Sequence, residues 1–211
     1  MPAAPKPPKK AKGKKPKSKG ICPQCGFIFR GRTAEHFQHC QKDMSPIIFI
    51  KNKTDKQMYE AACDLICRLL VEWRDGLTCV LVNVDGKVCS PVPNWGHVIP
   101  QNGSASLVYE LSNSFRQCSS HNMIHDKANP EIYLEWYRST WGALALRMLK
   151  QSQIDNRGLH LNDGQLREKL NELNELYDMR WSFGTASLEE KVQAGFYGNI
   201  IREAWTKEGR I

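Results

Sequence analysis

The chain has 211 residues, which is enough for one ordinary domain with appendages or for two small ones. It contains 30 Lys and Arg against 22 Asp and Glu, a formal net charge of +8. No apolar run reaches the roughly eighteen residues of a membrane span and no signal peptide is visible, so the sequence excludes an integral membrane protein and predicts a cytoplasmic one. In that compartment the eight cysteines are expected to be thiols or metal ligands rather than disulfides.

The excess positive charge lies in residues 1–20, which contain eight lysines, five prolines and no acidic residue. This composition predicts a disordered arm, because it offers too little apolar surface to offset the entropy of ordering. Its lysines are expected to bind DNA by counterion release, without reading sequence. They are Lys6, Lys9, Lys10, Lys12, Lys14, Lys15, Lys17 and Lys19. Two other interpretations stay open, a solubilising tail and, in a eukaryotic host, a nuclear-import signal.

Residues 21–42 contain cysteine and histidine with the spacing C-x2-C-x10-H-x3-C, at Cys22, Cys25, His36 and Cys40. Zinc takes four such ligands in a tetrahedron, two from the first knuckle and two from neighbouring turns of a helix. The spacing therefore predicts a small ββα zinc finger. His39 is a competing ligand, and an accidental cluster of thiols is the alternative.

This pattern resembles short ββα fingers that end in H-x3-C, including the ubiquitin-binding type of DNA-repair proteins. The resemblance implies a bound metal and leaves the finger's partner open. Arg30 and Arg32 lie in or beside the finger and the lysine arm precedes it. These basic residues favour a nucleic acid over ubiquitin as the partner.

After the finger, residues 43–55 are predicted to be a linker with one short strand. Apolar positions at helical spacing then predict a helix over 55–74, which Gly76 ends. Cys63 and Cys67 lie four apart in this helix. Their spacing favours packing on its apolar face, with metal binding as the alternative.

A β-hairpin is predicted next, with strands over 77–82 and 87–90 and a turn at Asp85 and Gly86. A short helix is expected near 119–127. The hairpin and the helix would give the chain an α+β fold.

Asn129 and Pro130 offer an N-cap and a first-turn proline for a helix that reaches about Lys150. Two amphipathic helices are predicted to close the chain, one of them begun by a capping box at Ser187 and Glu190. The other carries an apolar stripe at Leu166, Leu170, Leu173 and Tyr177. Core packing or self-association is the expected role of these helices.

Histidine and asparagine recur in a fixed order, His97, Asn113, Asn122 and His125, in the region that carries the chemistry. A histidine at a strand end can deprotonate water, and an asparagine amide can hold the imidazole tautomer. Ligands on a facing helix can hold a divalent metal that neutralises charge on a phosphate. The order therefore favours phosphodiester hydrolysis over a merely structural histidine.

Here the chain resembles the HNH, or ββα-metal, nucleases, and most closely the NinG family of lambdoid phage recombination proteins. The resemblance covers about residues 55–150. The matching residues are Arg74, Asp75 and Gly76 ahead of Cys79; Gly96 and His97; Asn113; Gln117 and Cys118; His121 through Lys127; and Tyr133, Trp141 and Gly142. The resemblance implies a Mg²⁺- or Mn²⁺-dependent DNA endonuclease that acts on branched recombination or replication intermediates of a phage. His97 would be the general base, Asn113 its orienting partner, Asn122 a metal ligand and His125 an assisting residue.

Two departures from the family pattern matter. Many HNH enzymes have an acidic or histidine metal ligand just before the catalytic histidine, where this chain has Gly96. The paired C-x2-C zinc knuckles are also altered, and a second zinc held by Cys79, Cys89, Cys118 and His121 is the interpretation that restores four ligands. Buried thiols without metal are the alternative.

The sequence thus predicts a small ββα zinc finger followed by a ββα-metal core embedded in α-helices. The expected segments are an arm (1–20), a finger (21–42), a linker (43–55), a nuclease domain (56–150) and a C-terminal helical region (151–211). The leading hypothesis is a DNA endonuclease with structural zinc. A non-catalytic DNA-binding or regulatory protein with a degenerate HNH core, and a zinc-finger adaptor for a protein partner, are the rivals.

Overall fold

A computed structural model describes residues 19–21, 28–30, 48–50, 54–76, 78–82, 84, 88–90, 93–100, 105–122 and 130–211. These residues form a mostly helical α+β structure with two small antiparallel sheets. The strands are β1 (Lys19–Ile21), β2 (Ile28–Arg30), β3 (Ile48–Ile50), β4 (Pro93–His97) and β5 (Ser114–Cys118). The helices are α1 (Asp55–Asp75), α2 (Pro130–Trp141), α3 (Ala143–Asp155), α4 (Asp163–Met179), α5 (Leu188–Gln193) and α6 (Asn199–Lys207). No helix among the described residues is both long enough and apolar enough to span a membrane.

The first sheet has the strand order β2-β1-β3, with Lys19 opposite Arg30 on one side and Ile50 on the other. The strand predicted within the linker is β3. Lys19 and Gly20, the last two residues of the predicted arm, pair within β1. The other arm lysines, Arg32 and the finger ligands Cys22, Cys25, His36 and Cys40 lie outside the described residues.

Helix α1 confirms the predicted helix and extends it by one residue, to Asp75. Thr54 and Gln57 form a reciprocal capping box at its start, which satisfies two backbone N–H groups that the helix leaves unpaired. Gly76 ends the helix with a φ of 71°, a conformation that disfavours residues with a side chain. The helix is therefore fixed at both ends by local chemistry that is visible in the sequence.

The thiols of Cys63 and Cys67 are fully buried on the apolar face of α1. Cys63 Sγ lies 3.6 Å from the carbonyl oxygen of Leu166, and Cys67 Sγ lies 3.8 Å from that of Tyr109. These contacts are those of packed thiols that donate weakly to backbone carbonyls. They support the packing interpretation of the two cysteines.

We expect Cys63 and Cys67 to resist alkylation in the native protein at pH 8. Burial raises the pKa of the Cys63 thiol to about 12, and at that value roughly one thiol in ten thousand would be the reactive thiolate. Mass spectrometry of alkylated peptides, before and after denaturation, measures this protection. Native labelling of Cys63 as fast as in the denatured chain would contradict the buried placement.

The predicted hairpin over 77–82 and 87–90 is not a pair of strands in the part of it that the structure describes. Residues 80–82 and 84 form turns, closed by hydrogen bonds from Val82 N to Cys79 O and from Val84 N to Leu81 O. Val80 N also donates to Arg116 O at 2.9 Å, which ties the segment to β5. Hydrophobic alternation predicted a strand here, but the turns direct Cys79 toward other cysteines.

The helix predicted from Pro130 to about Lys150 is two helices, α2 and α3. Gly142 separates them with a φ of 100°, which interrupts the helical backbone. The aromatic face of α2 packs on β5, where Phe115 contacts Trp136, Tyr137 and Trp141 at centroid distances of 5.0–5.9 Å. The second sheet thus rests on α2.

The C-terminal helices complete the same core as α1. Leu166, Leu170 and Leu173 of α4 are buried, as the apolar stripe predicted, and the capping box at Ser187 and Glu190 is present. Trp205 of α6 donates its indole N–H to the carbonyl of Trp141 at 3.1 Å. Core packing therefore accounts for much of this region, and self-association stays a prediction.

Arg74 joins these parts from the last turn of α1. Its guanidinium is buried and donates to the carbonyls of Leu111, Ser114 and Phe196 and to the carboxylate of Asp75. Asp75 in turn accepts the backbone N–H of Arg116 at 2.9 Å. The pair thereby fixes the start of β5 against both α1 and the C-terminal region.

Candidate metal centre and the β4–β5 sheet

Three cysteines and one histidine converge beside β5. The Sγ atoms of Cys79, Cys89 and Cys118 and a ring nitrogen of His121 all lie within 4.8 Å of one another. His121 Nδ1 lies 3.4 Å from Cys79 Sγ, 3.7 Å from Cys89 Sγ and 3.1 Å from Cys118 Sγ. The fold therefore brings together the four residues that the sequence predicted as a second zinc site.

Each ligand is positioned by a different local structure. Cys118 ends β5, and His121 lies in the helical segment 119–122 that follows. These two residues, three apart, supply one pair of ligands. Cys79 begins the turn that Val80 ties to β5. Cys89 lies next to Ser90, whose hydroxyl accepts the backbone N–H of Ser120 at 3.2 Å.

The dimensions of the cluster fit zinc. A tetrahedral ion with Zn–S of about 2.3 Å and Zn–N of about 2.0–2.1 Å separates sulfur from nitrogen by about 3.6 Å. The three sulfur–nitrogen distances of 3.1–3.7 Å lie around that value. The four residues could therefore hold a metal such as zinc with little rearrangement, and a complete set of four protein ligands is typical of a structural site.

The thiols of the cluster differ in their protonation. Burial raises the pKa of Cys79 to about 12. Burial also acts to raise the pKa of Cys118, but hydrogen bonds from the backbone N–H groups of His121 and Ser90, together with side-chain bonds from Ser90 and Cys89, lower it to about 6. The lowered pKa of Cys118 favours the thiolate, the form that binds metals.

The second sheet pairs β4 with β5 and carries the candidate catalytic residues. His97 is the last residue of β4 and lies opposite Ser114. Its Nε2 is 3.1 Å from the carbonyl oxygen of Val108, and its ring meets the edge of Trp95 at a centroid distance of 4.7 Å. Because a carbonyl only accepts, Nε2 carries the proton of the neutral ring and Nδ1 carries the lone pair.

Asn113 supports this region through the backbone. Its Nδ2 donates to the carbonyls of Ile99 and Leu107 at 3.1 and 3.2 Å, and its Oδ1 accepts the N–H of Ile99 at 2.7 Å. Both hydrogens of the Asn113 amide are therefore donated to backbone carbonyls in the segment between β4 and β5. The expected bond from this amide to the imidazole is replaced by an indirect arrangement, in which Asn113 holds Leu107 and the next residue, Val108, contacts the His97 ring.

Gly96 lies where two side-chain amides approach the sheet. A Cβ at this position would lie 1.8 Å from Gln117 Oε1 and 2.9 Å from Asn122 Oδ1. Asn122 stands in the helical segment after β5, next to His121 of the cysteine cluster. The structure thus brings Asn122 close to Gly96, and its role as a metal ligand stays a prediction; His125 lies outside the described residues.

The sequence did not indicate two residues that contact the β4 end of this site, Val108 and Gln117. Val108 interacts through a carbonyl, which carries no side-chain signal at all. Gln117 was noted only as a matching residue ahead of Cys118, and its position could not be read without knowing that it faces Gly96. The pairing of Asn94 with Gln117 across the sheet, two residues along each strand from Gly96 and Phe115, fixes that face.

Comparison with known proteins found no family model, no curated protein and no solved structure that matches the chain. The resemblance to HNH nucleases accordingly rests on the order of the residues quoted above. What the chain does is to be argued from the site itself.

Proposed function

We propose that the protein is a metal-dependent endonuclease that hydrolyses phosphodiester bonds in DNA. The observation that carries the proposal is the placement of His97, with its tautomer set by Val108, at the end of β4, one residue from the amides at Gly96. The order of β4, β5 and the helical segment 119–122 is compatible with a ββα-metal unit. A zinc ion in the cysteine cluster would be structural.

In this mechanism Nδ1 of His97 takes a proton from the attacking water, while the proton on Nε2 stays hydrogen-bonded to the carbonyl oxygen of Val108. Asn113 keeps that carbonyl in place through Leu107. Asn122 would hold the divalent cation through Oδ1, since amide oxygens suit Mg²⁺ and Mn²⁺. When bound, the cation supplies charge neutralisation at the phosphate and at the departing 3′ oxygen.

The chain's other features support DNA as the substrate. The lysine arm gives non-specific affinity for a polyanion, and a zinc finger over 21–42 would add a second contact. Branched recombination or replication intermediates of a phage are the proposed targets. They are suggested by the resemblance to the NinG family.

We expect His97→Ala to reduce the cleavage rate by about 10²- to 10⁴-fold, the range for loss of a general base. DNA binding by the variant should equal that of the wild type, because His97 is buried and carries no phosphate contact in this account. Cleavage of plasmid, linear and branched DNA in Mg²⁺ or Mn²⁺ measures the first quantity, and a gel-shift titration measures the second. His160→Ala, an exposed histidine in the loop before α4, is the matched control.

The rival function is a non-catalytic DNA-binding protein with a degenerate HNH core. The low exposure of His97 favours it, since only 9% of the residue's surface is accessible. It predicts that wild type and His97→Ala bind DNA equally and that neither cuts. That result would replace the nuclease proposal.

A further inference from the structure

We propose that Cys89 is the redox-reactive thiolate of the cysteine cluster, and that a hydroperoxide joins it to Cys118 in a disulfide with release of the zinc ion. The inference rests on the zinc site, and its effect on DNA cleavage rests on the proposed function. It adds a modification site, and a chemical signal that acts there, to a cluster whose zinc is otherwise structural.

Solvent reaches the four ligands of the cluster unequally. Cys79, Cys118 and His121 are buried, with 7%, 3% and 2% of their surfaces exposed. Cys89 is half-buried. A small oxidant that arrives from solution therefore meets the sulfur of Cys89 before the other two sulfurs. A metal-ligating sulfur is a thiolate, and the thiolate is the form that peroxides oxidise.

A second sulfur lies close enough to complete the oxidation. The ligand atoms of the cluster all lie within 4.8 Å of one another, and the Cys89 thiol donates a hydrogen bond to the sulfur of Cys118. A disulfide needs about 2.05 Å between its sulfur atoms, so the pair has to close by about 3 Å or less. Cys118 is fixed at the end of β5, and the approach is therefore expected to come from Cys89.

The reaction balances with one molecule of H₂O₂ for each disulfide. The Cys89 sulfur attacks one peroxide oxygen, the O–O bond breaks, and a sulfenic acid and a hydroxide form. The Cys118 thiolate then attacks that sulfur, so the S–S bond forms and the S–O bond breaks, with release of a second hydroxide. Two electrons pass from the two sulfurs to the peroxide. Cys79 and His121 are too few to retain the zinc ion, which leaves as Zn²⁺ without a change of oxidation state.

Oxidation would act on the helical segment 119–122 that follows β5. The Cys118 sulfur accepts the backbone N–H of His121 at 3.5 Å, and zinc would tie His121 to the turn at Cys79. The disulfide removes the zinc tie from the segment that carries Asn122, which the proposed function makes a cation ligand. The oxidised protein should therefore cleave DNA more slowly and recover when it is reduced and reloaded with zinc.

Zinc release from the zinc-loaded full chain under H₂O₂, followed with a chromogenic chelator, tests the inference without relying on activity. The comparison is with Cys89→His, which keeps a nitrogen ligand for zinc but has no sulfur for the disulfide. The predicted finger over 21–42 is the same in both proteins, so a difference in zinc release comes from the cluster. The wild type should release one more zinc ion per chain than Cys89→His. Cys63→Ser, which changes a buried thiol outside the cluster, is the control and should behave as the wild type does.

Mapping of the disulfide keeps the test decisive if Cys89→His binds no zinc, because it needs the wild type alone. Mass spectrometry of non-reduced peptides should find Cys89 linked to Cys118 after treatment with H₂O₂. A phosphine reductant and added zinc should then restore the original zinc content.

The outcomes separate this inference from the zinc site and from the proposed function. Zinc that stays bound to the wild type under H₂O₂, or that leaves Cys89→His to the same extent, overturns the inference and leaves the zinc site standing. A disulfide that contains Cys79 overturns the assigned pair. A wild type with no more zinc than Cys118→Ser overturns the zinc site and the inference together. Reversible zinc release with the Cys89–Cys118 disulfide, in a wild type that cuts no DNA, supports the inference and overturns only the nuclease.

Discussion

Cys118→Ser is expected to remove one zinc ion per chain and to lower the Tm by at least about 10 °C. Zinc binding to a structural site is worth on the order of 10 kcal/mol in small domains. A loss of about 5 kcal/mol is enough for that shift in a domain of this size, where 1 kcal/mol corresponds to roughly 2–4 °C. Cys118 is the ligand for which the largest effect is expected, because its sulfur accepts the backbone N–H of His121 and so joins the end of β5 to the helical segment 119–122.

The measurement is metal content per chain together with thermal unfolding. Cys63→Ser is the matched control, since Cys63 is equally buried yet packs between α1 and the backbone of Leu166. It should keep the zinc content of the wild type. Equal zinc content in Cys118→Ser and Cys63→Ser would show that the cysteine cluster holds no metal.

Arg74→Met is expected to destabilise the protein by about 3–5 kcal/mol, the range for breaking a buried ion pair by removing one partner. The change leaves the Asp75 carboxylate without its cation and leaves three backbone carbonyls without a donor. It also removes a guanidinium that lies 4.6 Å from the ring centroids of both Phe115 and Tyr197.

Chemical denaturation followed by tryptophan fluorescence measures the free energy of unfolding. Arg68→Met, on the exposed face of α1, is the control and should change it by less than about 0.5 kcal/mol. Arg74→Lys should be nearly as damaging as Arg74→Met, because an ammonium cannot reach three carbonyls and a carboxylate in the fork geometry of arginine. A loss below 1 kcal/mol in Arg74→Met would contradict the central position of this residue.

Local chemistry made the helices predictable. The capping box at Ser187, the terminating Gly76 and the stripe at Leu166, Leu170 and Leu173 act within a few residues of one another, and the structure has helices at each of them. Gly142 is an equally local signal that went unused, since a single glycine in a helical pattern is often tolerated. Helix ends therefore followed from sequence wherever a cap was visible.

The sheet was harder to predict, because its pairing is not local. Alternating apolar residues at 77–82 suggested a strand, but the partner of β5 is β4, which contains Pro93 and Gly96 and has little strand character by composition. The described part of 77–82 turns instead, and both Cys79 and Cys89 lie close to His121. Contacts of that kind become visible only when the ligands are considered together.

The Cys/His residues of the candidate metal site could be predicted from the sequence, whereas the contacts of the residues around the β4–β5 sheet could not. Cysteine and histidine chemistry is specific enough that Cys79, Cys89, Cys118 and His121 could be proposed as one group, and the structure assembles them. The role of Asn113 depended on which amide hydrogens the backbone uses, and the position of Gln117 against Gly96 depended on the pairing of β5 with β4. Neither has a sequence signature, because each depends on contacts across the fold.

The most direct measurement of the central claim is the nicking of supercoiled plasmid by zinc-loaded protein, with Mg²⁺ or Mn²⁺ either present or omitted. We expect nicked and then linear product when the divalent cation is present, none when zinc is the only metal, and none with His97→Ala in either condition. Plasmid that the wild type binds but leaves supercoiled with both cations would rule out the proposed endonuclease. The protein would then be a DNA-binding protein built on the same core.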